Sequence, residues 1–116
     1  MIIPSPILYD RLQLTPRQLE TLCQNAKIET LAVFGSILRD DFTPQSDIDL
    51  LITYHPDAKR SLFRKLDLKE TFEIACQRPV DLVSRTAIEH SPNPIRRNNI
   101  LSTATLIYDA RPRSTH

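Results

Sequence analysis

Leu19, Leu22, Cys23 and Ala26 recur at i, i+3, i+4 and i+7, the spacing that lines one face of an α-helix. Thr15 stands where an N-cap belongs, Pro16 suits the first helical position, and Gln18 completes a capping box, with Leu14 and Leu19 at the staple positions. These signals predict a scaffold helix from about Pro16 to Lys27. Thr30–Phe34 (TLAVF) is a short apolar run with β-branched and aromatic members, a buried strand ending at Gly35. Ser36–Asp41 reads as a short helical turn, and FTPQS as a loop. Asp47–Tyr54 (DIDLLITY) predicts a second strand, which His55, Pro56 and Asp57 break. Ala58–Gln77 predicts a helix whose apolar residues Leu62, Phe63, Leu66, Leu68, Phe72, Ala75 and Cys76 spread round much of its circumference. Such a helix either has a wide core face or packs against a partner as well as a sheet. Pro79–Ser84 (PVDLVS) is a third strand. Asn93 and Pro94 cap and start a last helix with Arg97, Ile100, Leu101 and Ala104 near one face, and Leu106–Tyr108 is a short terminal strand. The alternation of helices and strands argues for one α/β domain, with Arg111–His116 as a frayed tail.

Composition narrows the function classes. The 116 residues are 41% hydrophobic and 25% charged, with a formal net charge of +1, as in an ordinary soluble globule. No direct nucleic-acid binding is expected from so even a charge balance. No apolar run approaches the roughly 20 residues that span a bilayer, and the first residues lack the basic start and small-residue cleavage site of a signal peptide. Cys23 and Cys76 lie in helix-like apolar patterns and are expected as reduced core residues of a cytoplasmic protein. His55, His90 and His116 show no ligand spacing. Lys59-Arg60 and Arg96-Arg97 read as solvated helix ends, and Tyr9, Tyr54 and Tyr108 as packing residues. The single glycine, Gly35, against nine prolines means that this one position needs free φ or close backbone approach.

The chemistry concentrates in GSILRDDFTPQSDID. Asp47 and Asp49 sit at i and i+2 on a strand and so leave the same face, about 6.6 Å apart at Cα. Neighbouring carboxylates repel unless a cation or proton compensates, and Mg²⁺ prefers such an oxygen-rich arrangement. Asp47, Asp49, Leu51 and Thr53 share one face, Ile48, Leu50, Ile52 and Tyr54 the other, which suits a site at one end of a sheet. Asp81 lies inside the apolar run PVDLV, where an aspartate is costly without a role. If its strand neighbours Asp47–Tyr54, Asp81 completes a carboxylate triad that can hold divalent ions or deprotonate an attacking hydroxyl. Gly35-Ser36, between a strand and a helical turn, has the make-up of a phosphate-binding corner.

Gly35-Ser36, the ten residues Ile37 to Ser46, then Asp47-Ile48-Asp49, resemble the signature of the nucleotidyltransferases of the DNA polymerase β superfamily. SDIDLL (Ser46–Leu51) is especially similar to the minimal nucleotidyltransferases, the MNT proteins, and PVDLV looks like their strand with the third carboxylate. The resemblance implies a single nucleotidyltransferase domain at residues 1–110, α/β (α+β), with a small mixed sheet flanked by helices, and a flexible tail at 111–116. It implies Asp47, Asp49 and Asp81 as catalytic residues and Mg²⁺ ligands, with Gly35, Ser36 and Arg39 on the phosphates of ATP. Arg39 either touches the triphosphate or pairs with Asp40 or Asp41. A chain of this length leaves no room for a second, acceptor-binding domain, so a partner is expected to supply that surface. In the MNT family that partner is a HEPN-domain RNase toxin, and the resemblance implies an antitoxin that transfers AMP to it, on tyrosine. Two alternatives are a non-catalytic antitoxin acting by stoichiometric binding and a subunit that modifies a small molecule.

Overall fold

A computed structural model describes residues 5–58 and 62–111. Helix α1 (Ser5–Leu12) and helix α2 (Pro16–Asn25) lead into strand β1 (Ile28–Phe34) and a 3-10 turn at Gly35–Leu38. Strand β2 (Ile48–Tyr54), helix α3 (Leu62–Cys76), strand β3 (Val80–Ser84), helix α4 (Arg85–Glu89), helix α5 (Pro94–Thr103) and strand β4 (Thr105–Asp109) follow. The predicted capping box is present: Gln18 N–H donates to Thr15 Oγ1 at 3.1 Å, and Thr15 N–H to Gln18 Oε1 at 2.8 Å. The helix stops short of Lys27 because Lys27 turns left-handed (φ +56°). Its carbonyl then accepts from His55 N–H at 2.9 Å, which ties the end of α2 to the end of β2.

Helix α3 starts later than expected, since Ala58 belongs to a turn closed by its N–H on the His55 carbonyl at 2.9 Å. The sequence pattern contains no expectation of α1 or α4. Helix α1 offers only Leu8 and Leu12 as an i, i+4 pair, too few for a period to show. Helix α4 is a single turn capped by Ser84, whose hydroxyl accepts from Ala87 N–H at 3.4 Å. The expected tail beyond Arg111, with His116, and the pair Lys59-Arg60 lie outside the described residues.

The sheet is mixed, in the order β3-β2-β1-β4. Strand β1 runs antiparallel to β2 and β4, and β2 parallel to β3. One face carries Leu31 and Val33, Ile48, Leu50 and Ile52, Val80 and Leu82, packed under Leu12, Leu19 and Cys23 and under Leu68, Phe72 and Cys76. Both cysteines are free and fully buried, and burial pushes their thiols up to about 12 (Cys23) and about 11 (Cys76). Tyr9, Tyr54 and Tyr108 pack on this core, as expected. Leu66 and Ile74 are exposed, so part of the broad apolar pattern of α3 lies outside the core. The opposite face is thinner: Ala32, Phe34 and Leu51 pack against Ile88 of α4 and Ile100 of α5. Among the described residues, no helix is long and apolar enough to cross a membrane.

Among the described residues, three non-glycines, Gln13, Lys27 and Gln77, take positive φ just after α1, α2 and α3. The left-handed region costs an L-residue roughly 1–2 kcal/mol, part of which glycine's extra chain entropy returns to the unfolded state. Lys27 is exposed, so its side chain contributes little there. Lys27→Gly is therefore expected to stabilise the fold by about 0.5 kcal/mol, read as a rise of roughly 2–4 °C in thermal melting.

Candidate active site

Register assembles the site. Phe34 pairs with Asp49, and Asp49 with Asp81, so the three form one row across β1, β2 and β3 on the thinner face. The next row on that face is Ala32, Leu51 and Val83, covered by Ile88 and Ile100. The acidic row thus begins where the helical cover of α4 and α5 stops. Asp47 immediately precedes β2 and is exposed, as is Asp81, whereas Asp49 is half-buried. The strand order that the sequence could not supply places β3 beside β2 and brings Asp81 into the row.

Gly35 answers to both expectations for a lone glycine. Its φ is +78°, and a Cβ built on it would collide with Asp49 Oδ2. The Asp49 carboxylate therefore lies against bare backbone at the end of β1. Burial raises the pKa of Asp49 above the ordinary carboxylate value of 3.8, and the charges of Asp81 and then Asp47 push it further the same way. Arg39 and Arg96 oppose the rise. Arg39 Nε pairs with Asp41 Oδ1 at 3.2 Å, both side chains being largely exposed. A pair so exposed contributes little and opens at little cost. Arg39 thus pairs with Asp41 and also acts electrostatically on the acidic row.

Arg96 is exposed, as expected of a solvated helix end, and its charge also reaches Asp49. It sits in the first turn of α5, whose N-cap Asn93 accepts from the N–H groups of Ile95 and Arg96 at 3.1 Å each. The helix packs on the acidic face of the sheet, so its first turn brings a cation to Asp49. Arg11 and Arg78 escaped the sequence reading, and they hold the loop between Ser36 and Asp47. No short-range signal could have found them, since each acts across more than 25 residues of chain.

The donor set fits Mg²⁺ by its chemistry: three carboxylates, oxygen only, two of which act on the third by a like-charge repulsion that a cation relieves. Among the described residues no three such groups already stand in a metal-binding array. The exposed Asp47 and Asp81 side chains would have to rotate toward Asp49 to bind an ion.

The family model described as "Polymerase beta, Nucleotidyltransferase" matches residues 17–113. The chain is similar to the candidate protein adenylyltransferase MJ0126 of Methanocaldococcus jannaschii, with 34% identity over 71 residues, 61% of this chain and 69% of that protein. A solved candidate minimal nucleotidyltransferase is 29% identical, with a TM-score of 0.57 over 73% of this chain and 81% of its own. A toxin–antitoxin crystal structure with AMP-PNP shares the fold, at 17% identity and a TM-score of 0.63, over 83% of this chain and 74% of its own.

Two measurements test the packing of the site. Gly35→Ala is expected to cost roughly 1–3 kcal/mol, from the strained φ and the collision with Asp49. In an Asp49→Ala background the cost should shrink by about 1 kcal/mol or more, a coupling read by a double-mutant cycle in urea. Asp49 itself works against the metal-free fold. Its folded pKa is raised, so its favourable contribution is complete below 3.8, where the group is protonated, and is lost as the pH rises through the raised value. Asp49→Asn should therefore melt higher than the parent by roughly 1–4 °C near neutral pH with EDTA present. The gap should close as the pH falls to the ordinary carboxylate range.

Proposed function

The chain belongs to the polymerase β nucleotidyltransferase family, and from that premise we propose that it is an antitoxin-type protein adenylyltransferase of the cytoplasm. It moves AMP from ATP to a hydroxyl, on tyrosine, of a HEPN-domain RNase toxin and so silences it. The observation that carries this reading is the Asp49 carboxylate seated against Gly35 and in register with Asp81. Such a row raises the energy of the empty protein and is relieved by the cations that accompany a nucleotide. The candidate adenylyltransferase among its relatives and the AMP-PNP toxin–antitoxin structure among its structural neighbours support the same reading.

In this reaction the acceptor oxygen forms a bond to the α-phosphorus of ATP. The bond from that phosphorus to the bridging oxygen of the β-phosphate breaks, and pyrophosphate leaves. Asp81, exposed at the mouth of the row, takes the hydroxyl proton. Asp47, Asp49 and Asp81 would hold Mg²⁺, which supplies charge neutralisation of the triphosphate and polarisation of the α-phosphate. Gly35 and Ser36 offer backbone approach and a hydroxyl to the phosphates. Arg39, giving up its exposed pair with Asp41, meets the same charge.

Incubation with Mg²⁺, α-labelled ATP and the product of the neighbouring gene is expected to label that product, at less than one copy of this chain per acceptor. Asp49→Asn should reduce labelling at least a hundredfold. Neutralisation without label, at one chain per toxin, would replace this reading with a docking antitoxin. Label on a small hydroxylated acceptor alone would replace the protein substrate.

A further inference from the structure

We propose that Arg11 and Arg78, stacked on Phe42, are positioning residues that set the two ends of the catalytic loop, Arg11 the phosphate-binding corner and Arg78 the carboxylate row. The inference rests on the transferase reading for its kinetic part. The loop from Arg39 to Asp47 contains no helix, strand or glycine. Its own bonds cluster at Thr43–Ser46, where Ser46 N–H donates to Thr43 O at 3.0 Å, Thr43 N–H to Ser46 Oγ at 2.9 Å and Gln45 N–H to Thr43 Oγ1 at 3.3 Å, the two hydroxyls lying 3.2 Å apart; Arg39 and Asp41 add the exposed ion pair.

Side chains from outside supply the rest. Arg11, at the end of α1, donates from one Nη1 to the carbonyls of Ile37 at 2.8 Å and Arg39 at 2.7 Å. Those carbonyls lie just beyond Ser36, so the guanidinium ties the 3-10 turn to α1. Arg78, between α3 and β3, donates from Nη1 to Thr43 O and Ser46 O, each at 3.0 Å. Ser46 is the residue before Asp47. Both guanidinium groups also lie over the ring of Phe42, 5.2 Å (Arg11) and 4.4 Å (Arg78) from its centroid. Phe42 in turn packs on the main core. Arg78 Nε is buried without a hydrogen-bond partner, so this side chain accepts a desolvation cost to hold its place.

The arrangement requires arginine. A planar guanidinium donates in its plane while its face stacks on an aromatic ring, which a lysine ammonium does not reproduce. The two cations are not the ones that oppose the rise in the Asp49 pKa, which are Arg39 and Arg96. Their contribution is therefore geometric.

The test has a kinetic and a non-kinetic arm on the full chain. In AMP transfer, Arg78→Lys is expected to lower kcat by about tenfold to a hundredfold with little change in KM for ATP. Arg11→Lys should raise KM for ATP several-fold as well. Phe42→Tyr should retain activity, and Phe42→Leu should not. In hydrogen exchange without nucleotide, the amides of Arg39 and Ser46 should exchange at least tenfold faster in Arg11→Lys and Arg78→Lys, while those of β1 and β2 stay protected. Unchanged exchange at Arg39 and Ser46, or a rise spread equally over β1 and β2, overturns the proposal whether or not the parent chain transfers AMP. Parent activity on no acceptor, with the local exchange change present, overturns the transferase reading and leaves the clamp standing.

Discussion

The Asp49 carboxylate occupies a space that exists only because residue 35 has no side chain. Much of the site depends on that contact. The carboxylate is pressed to the end of β1, in register with Asp81, on the part of the face that α4 and α5 leave uncovered. Burial and two like charges raise its pKa, and two arginines from different parts of the chain partly offset them. Metal-free, this is a destabilising cluster. A folded chain can carry it because the central strands β1 and β2 are otherwise largely buried.

That division follows from rows. On the face packed by α1, α2 and α3 the strands present mostly apolar residues. On the other face the row Ala32, Leu51 and Val83 seals against Ile88 and Ile100, and the row beside it is Phe34, Asp49 and Asp81. A shift of one residue in the register of β2 would exchange Asp49 with Ile48 or Leu50, burying the charge and exposing the core. The apolar alternation of β2 therefore fixes where the carboxylates point, and packing that looks purely structural sets the geometry of the chemistry.

Much of this was legible in residue order. The capping box, the strand alternation and the lone glycine are local signals, and local physics made the structure agree with them. The Asp47–Asp49 pair stood out from strand period, although β2 starts only at Ile48 and Asp47 acts on Asp49 from just outside it. Asp81 stood out only as a costly charge in an apolar run; its partnership depended on β3 lying beside β2, which no local pattern encodes. Helices α1 and α4 were missed because eight and five residues are too short to show a period. The roles of Arg96, Arg11 and Arg78 were missed for another reason. Each acts through a long side chain whose reach crosses tertiary structure, and in sequence each resembles any solvated cation.

The scarcity of glycine links these omissions. Loops that must turn sharply often do so at glycine, which takes positive φ at no steric cost. Here the only glycine is committed to Asp49, so the long connection between the two halves of the motif has none. Its carbonyls must still be satisfied where they are removed from water. Four of them accept from just two guanidinium groups, one delivered by α1 and one by the approach to β3. The same shortage leaves three non-glycines among the described residues in left-handed conformation at helix ends. Helix α1 and the segment before β3 therefore do more than cover the sheet. They supply carbonyl partners that the loop does not supply itself, so residues far from the carboxylates in the chain hold the loop that leads to them.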